Sequence, residues 1–311
     1  MSLNLSNEVD YKNWNTFFSE TFEDFFIERK LKNKYEVKRY LYNLKDSAKT
    51  LWRSYRSKIV EVNYDDPLIQ EAYFFRYCVL YHSTVFKVLN FVKDFYKPQT
   101  DSQYLEYSFI SAGPGSEVLG FFNWIHKNFP QELETYNEIT LYDRSTWGIP
   151  RKVITKALEK KLSIFEGYRI NSIHKDIFEF SYDLDDTNQK IVLFQNCLNE
   201  ILISEKSKEK IFLILQKISN SLVPGGMLIF IDRANYSHTF EFLNEVETRL
   251  GKKSFTQIFN QDFLSQVNES RLDRIEIPEL IRNNLFTGES GLKLSLRNEI
   301  ICKIFQKNNS K

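Results

Sequence analysis

Glycine is scarce in this chain, with ten residues in 311, and seven prolines, two methionines and three cysteines are equally sparing. Cys78, Cys197 and Cys302 lie far apart with no CxxC pair, and His82, His126, His174 and His238 are scattered among them. That spacing excludes a disulfide framework and a structural zinc site, and predicts three reduced, mostly buried thiols and no bound metal. No run of about 18 uncharged apolar residues occurs, so no membrane-spanning helix is expected. Asn7, Glu8 and Asp10 stand where a signal peptide would place a basic and then an apolar stretch, and a cytoplasmic protein is expected. Charge of either sign is not in excess: 42 Lys and Arg face 41 Asp and Glu. This balance neither requires nor excludes a polyanionic partner, so local distribution has to decide.

No internal repeat and no long Pro/Ser/Gly linker is present, and the organisation shows in two regimes of periodicity. From about residue 10 to residue 96 the apolar residues recur at helical spacing. Phe17, Phe18, Phe22, Phe25 and Phe26 share one side of a helix. Asp66-Pro67 is a cap followed by a first-turn proline, opening a stripe from Leu68 to Val92. Residues 1–98 therefore read as an all-helical section, with the hinge at Lys97-Pro98 to Gln103. From Tyr104 short apolar runs alternate with amphipathic ones, the signature of β-α units and a mainly parallel sheet. The strand-like runs cover 107–112, 138–143, 168–174, 190–196, 227–232 and 300–305, within a second section spanning 104–311. Pro224-Gly225-Gly226 reads as the stop of the helix before the fifth run. The stretch 260–290 shows no clear pattern.

Two of the ten glycines flank Pro114 at the end of the first run, in FISAGPGSEVLGFF (109–122). Glycine serves where backbone turns sharply or lets another group approach closely. In an open α/β sheet ligands bind beyond the carboxyl ends of the strands, so the amides of Gly113-Pro114-Gly115 and the following helix start are placed to meet a polar ligand. The same turn could equally join any strand to any helix. Its neighbours narrow the reading: the second run ends in Asp143, able to accept both hydroxyls of a ribose. The third ends near Asp176, followed by Ile177 and Phe178, a carboxylate beside apolar surface suited to an adenine. The fourth ends at Gln195-Asn196.

This ordered set resembles the class I S-adenosylmethionine-dependent methyltransferases. SAGPGSE, LYDRS, HKDIF, LFQNCLNEI and LVPGGMLIFID stand at the places of successive motifs, from about residue 104 to 235. The resemblance implies a seven-stranded, mostly parallel Rossmann-like sheet with an antiparallel closing strand, and S-adenosyl-L-methionine as cofactor. It implies Gly113 and Gly115 under the methionine and ribose, Asp143 on the ribose, and Asp176 with Ile177 on the adenine, with Trp147 either flanking the adenine or packing the sheet's helical cover. The family's usual first glycine is Ser111 here and its usual acidic residue is Phe109, so Glu117 becomes a candidate for the cofactor's amino-acid end. A nicotinamide dehydrogenase fingerprint would need a third glycine at Val118, and a Walker A loop would need Gly-Lys-Ser/Thr; both are absent.

In this family the end of the fourth strand faces the methyl group, which places Asn196, Asn199 and Glu200 nearest the reaction. Asn196 could orient an acceptor and Glu200 accept its proton, while Asn199 and Glu200 could equally just begin a helix. No Asn/Asp-Pro-Pro-Tyr/Phe sequence follows, against the enzymes that methylate exocyclic amino groups of bases or glutamine. Residues 29–58 carry eleven basic side chains against Glu36 and Asp46, interleaved with Tyr35, Tyr40, Tyr42, Trp52 and Tyr55. Basic groups track phosphates and aromatic rings stack on unpaired bases, so RNA is the leading expected substrate. The six acidic residues of 1–28 could instead neutralise a solvated helix pair whose aromatics point inward. A peptide or small-molecule acceptor is the alternative, and a catalytically inactive methyltransferase-like binding protein a third reading.

Overall fold

The computed structural model describes residues 11–57, 60–98, 104–135, 137–162, 168–180, 188–251, 254–265, 277–289, 291–293 and 299–309. The helical section holds α1 (Tyr11–Glu28), α2 (Lys34–Ser54) and α3 (Pro67–Phe91). Each start has a chemical cause: the Asn33 side chain accepts from the Tyr35 and Glu36 amides, and the Asp66 carboxylate accepts from the Leu68 amide at 2.8 Å. The five phenylalanines of α1 are buried, and Phe25 packs its ring against Phe74 and Phe75 of α3. Nearly every side of α3 is covered, because α1 and α2 lie on one face and α4 (Ser116–Asn128) on the other. Gly120 permits that second contact: a Cβ there would stand 2.4 Å from the His82 carbonyl oxygen. This glycine serves helix packing.

The remaining elements are β1 (Leu105–Ile110), β2 (Asn137–Asp143), α5 (Gly148–Leu162), β3 (Tyr168–His174), α6 (Ile177–Phe180), β4 (Gln189–Gln195), α7 (Leu198–Ile201), α8 (Glu205–Ser221), β5 (Leu222–Arg233), α9 (Ser237–Leu250), β6 (Phe255–Ser265), α10 (Glu279–Asn284) and β7 (Glu299–Lys307). They build one seven-stranded sheet in the order β3-β2-β1-β4-β5-β7-β6. The first five are parallel to one another, and β7 runs antiparallel to both β5 and β6. The expected Rossmann-like sheet with an antiparallel closing strand is thus present.

Two details differ from the sequence reading. β5 begins at Leu222 and carries Pro224-Gly225-Gly226 inside it, where the pairing with β4 shifts register between Gln189 and Ile191. The helix before them does end as expected, at Ser221, but the proline and glycines lie inside the strand that follows, at an irregularity of its pairing. The stretch 260–290, unread in the sequence, supplies the end of β6 and the short α10; its residues 266–276 lie outside those described.

One apolar core is continuous across the two sections, joining Phe18, Leu41 and Phe74 to Trp124, Ile139 and Ile229. A second cluster, with Ile211, Leu215, Leu243 and Val246, covers the opposite sheet face. Among the described residues no helix is long and apolar enough to cross a membrane.

Candidate active site

Strand order reverses between β1 and β4, and beyond their carboxyl ends a cleft opens. The β1 end is fixed by a short set of bonds. The Gly113 amide donates to one Asp143 oxygen at 2.8 Å, the Ser145 amide donates to the other at 2.9 Å, and Arg151 Nε donates to the Gly113 carbonyl at 3.1 Å. Gly113 has φ +51°, and a Cβ on it would meet the Trp147 indole at 3.4 Å. Gly115, at φ +90°, caps α4 and faces Ile154 and Leu141. Both glycines hold left-handed backbone that a side chain would strain, and Gly115 turns the chain into α4.

Among the described residues only four other than glycine have positive φ, and Ser111 (54°), Trp147 (54°) and Asn196 (53°) are three of them, all lining the cleft. Left-handed backbone costs a bulky residue like Trp147 on the order of 1 kcal/mol, and such strain concentrates at working sites. Trp147 lies edge-on to Tyr73 with ring centres 5.0 Å apart and tilted on Tyr64 at 5.5 Å, so it joins the sheet's cleft to the helical section. Its Nε1 has no hydrogen-bond partner, and neither has Asn196 Oδ1. Across the cleft Asp176 accepts from the Phe178 amide at 2.8 Å and is followed by Ile177 and Phe178, all three lining the wall.

Glu200 closes the far side. It stands on α7, whose first amide, Leu198 N–H, donates to the buried Asp232 carboxylate at 2.8 Å. The Tyr64 hydroxyl donates to Glu200 Oε1 at 3.0 Å and the Tyr55 hydroxyl reaches it at 3.3 Å. Burial pushes the Glu200 carboxyl up to about 7; the Tyr64 bond and the Arg144 charge pull it down, and Asp232 adds to the rise. A carboxyl with that affinity is half ionised near neutral pH, suited to accept a proton.

Of the ten residues singled out from the sequence, Ser111, Gly113, Asp143, Trp147, Asp176, Ile177, Asn196 and Glu200 line this one cleft. Gly115 and Glu117 do not, nor does Asn199, which was expected beside Asn196 and Glu200 near the reaction. Glu117 is 4% exposed on the first turn of α4, and burial pushes its carboxyl up to about 8, with Arg151 opposing and Asp143 reinforcing the shift. Phe109 is fully buried against Phe121, so its place in the motif belongs to the core. Tyr64 and Tyr73, also in the cleft wall, were missed: Tyr73 shares the apolar spacing of α3, and Tyr64 lies in the turn before it, where no pattern marks it.

The basic segment 29–58 divides. α2 buries Val37, Leu41, Leu44, Ala48 and Leu51, the Tyr40 hydroxyl donates to Glu71, and Tyr55 turns inward to Glu200. Tyr35 and Tyr42 are exposed at 72% and 67%, beside the exposed Lys34, Lys38 and Arg39. Two acidic residues of the first helix turn to α5: Glu28 pairs with Lys152 and Lys156, and Asp24 with Lys160. Cys78, Cys197 and Cys302 are buried free thiols.

No model of a known protein family matches this sequence, and no curated protein does. Solved structures of similar shape include a candidate S-adenosylmethionine-dependent methyltransferase from Streptococcus mutans, at 13% identity over 65% of this chain and 44% of that one, TM-score 0.38. The N-methyltransferase NodS from Bradyrhizobium japonicum WM9, complexed with S-adenosyl-L-homocysteine, is 13% identical over 84% of this chain and 99% of that one, TM-score 0.42. Phosphoethanolamine N-methyltransferase 2 from Haemonchus contortus is 15% identical over 81% and 61%, TM-score 0.42. This chain therefore spans less than two thirds of the first and third of these proteins. Likeness at this level adds nothing to the sheet order, which by itself defines the fold.

Proposed function

We propose that this protein is an S-adenosylmethionine-dependent methyltransferase acting on a small acceptor, with Glu200 as the general base. The donor set of the cleft fits that cofactor. Asp143 is held by two backbone amides at the end of β2, where ribose hydroxyls would lie, and Asp176 with Ile177 and Phe178 offers an acceptor and apolar surface to an adenine. The orphaned Asn196 Oδ1 is a buried acceptor in need of a donor. When bound, the cofactor's sulfonium supplies an activated methyl group.

The rest of the chemistry belongs to the chain. The nucleophile, an N–H or O–H of the acceptor, gives its proton to the Glu200 carboxylate as its lone pair attacks. Tyr55 and Tyr64 hold that carboxylate in place and stabilise its charged form. Tyr64 and Tyr73 wall the cleft, and exclusion of water there favours the proton transfer.

The single observation that carries this reading is the meeting of Asp143, Asp176, Asn196 and Glu200 in one cleft at the reversal of strand order. A walled acceptor site favours a small molecule over a polymer. Calorimetric titration with S-adenosyl-L-homocysteine, followed by methyl transfer from labelled cofactor to a panel of small amines and phenols, tests it. Absence of homocysteine-product binding would remove it.

RNA is a second reading, favoured by the exposed Tyr35 and Tyr42 beside the exposed Lys34, Lys38 and Arg39. It requires binding of unpaired RNA that weakens steeply with salt and is lost on charge reversal of Lys34, Lys38 and Arg39.

A further inference from the structure

The strand order gives the cleft a direction. Along it the carboxyl ends follow one another as β3, β2, β1 and β4, and the lining residues at those ends are Asp176, Asp143, Ser111 and Asn196. Neighbouring strands stand about 4.8 Å apart, so the four ends span on the order of 14 Å. S-adenosylmethionine is itself linear, with adenine, ribose and an amino-acid arm in that order. With adenine at Asp176 and ribose at Asp143, the arm runs on across the ends of β1 and β4.

The arm carries an ammonium, which only donates hydrogen bonds, and a carboxylate, which only accepts them. The acidic side chain expected to meet it does not: Glu117 is buried in the first turn of α4 and does not line the cleft. Two neutral groups of complementary sense do line it. Asn196 is 6% exposed, and among the described residues its Oδ1 has no donor. Trp147 is 3% exposed, and its Nε1 likewise has no acceptor. The indole lies beside the turn that follows β1: a Cβ on Gly113 would stand 3.6 Å from Trp147 Cε2, the ring atom bonded to Nε1. Tyr64 and Tyr73 pack on that indole at 5.5 and 5.0 Å, which limits its rotation. Both residues hold left-handed backbone, Asn196 at φ 53° and Trp147 at 54°. A buried acceptor and a buried donor left unanswered are costly, and strained backbone that aims them into one cleft points to a ligand bearing both a donor and an acceptor.

We infer that Asn196 and Trp147 hold the cofactor's amino-acid arm, Asn196 Oδ1 accepting from the ammonium and Trp147 Nε1 donating to the carboxylate. The inference rests on the methyltransferase reading of the same cleft. It makes recognition of the arm the work of two side-chain dipoles, and it makes the site discriminate an adenosine that carries an α-amino acid from one that does not.

Calorimetric titration of the full-length protein tests this with two ligands. S-adenosyl-L-homocysteine has the arm; 5′-methylthioadenosine has the same adenosine and sulfur with a methyl group in its place. Wild-type protein should bind the first more tightly by about tenfold or more, because hydrogen bonds to charged groups are the stronger kind. Trp147→Phe keeps a ring and loses the N–H, and Asn196→Gly keeps the left-handed backbone and loses the amide. Each should weaken the homocysteine product by about tenfold and leave methylthioadenosine nearly unchanged. Equal weakening of both ligands in either folded variant, or no weakening of the homocysteine product, overturns the inference. Equal binding of the two ligands by the wild type also overturns it and leaves the methyltransferase reading standing; binding of neither removes that reading and the inference together. Should one variant fail to fold, the other decides.

Discussion

The Tyr64 hydroxyl donates to the Glu200 carboxylate at 3.0 Å across 136 residues of sequence. One residue belongs to the segment leading into α3 and the other to α7, so the helical section completes the cleft as well as covering the sheet.

Replacing Glu200 by Gln removes the proton acceptor while keeping shape and the tyrosine contacts. The turnover rate is expected to drop about 10²-fold or more, with cofactor affinity little changed. The pH profile gives the more specific check. A base must be ionised to act, so wild-type kcat/KM should rise with pH through a midpoint near 7, where burial has placed the Glu200 carboxyl. The variant should lack that limb.

Tyr64→Phe acts on the same group through the hydrogen bond that favours its charged form. Loss of the bond raises the carboxyl further, so the midpoint of the pH profile should move upward. A rate profile of the variant that superimposes on the wild type would show that Glu200 is not the titrating group.

Glu117 predicts a stability effect with a defined sign. Its carboxyl is pushed up to about 8 in the fold, above the ordinary value near 4.3, so the fold prefers the protonated form. The stability this confers is complete below about pH 4.3 and is lost progressively as pH rises to 8. Glu117→Gln cannot ionise, so its advantage over the wild type should grow by about 1.4 kcal/mol per pH unit across that window. Denaturant unfolding of the ligand-free protein at pH 5, 6.5 and 8 measures it.

The two glycines of α4 and its approach should fail differently. Gly120→Ala forces a methyl group into the His82 carbonyl, and overpacking of this kind costs on the order of 1–3 kcal/mol, read as a lower Tm. Gly113→Ala strains the left-handed turn whose amide holds Asp143, which should weaken cofactor affinity along with stability.

The sheet was legible because its strands are apolar runs with turn residues at fixed places, and six of seven could be read directly. β6 was not: FTQIFNQDFLS mixes polar and apolar residues at the edge of the sheet, where one side faces solvent and register shifts twice. The cleft residues of the sheet were legible because they sit at strand ends. Tyr55, Tyr64 and Tyr73 were not: Tyr73 has the helical spacing of a core residue, and Tyr55 and Tyr64 lie in turns outside the helices, where no periodicity says which way a ring faces.

The central claim is that the Gly113–Asp143 turn forms a working cofactor cleft, and calorimetric titration of S-adenosylmethionine and its demethylated product into wild-type protein and Asp143→Asn tests it directly. An asparagine there must turn an N–H toward the Gly113 or the Ser145 amide, so the turn loses one of its two clamps. Micromolar binding in the wild type that weakens at least 30-fold in a folded variant, about 2 kcal/mol, is the predicted result. No binding to the wild type, or equal binding to both proteins, would contradict it.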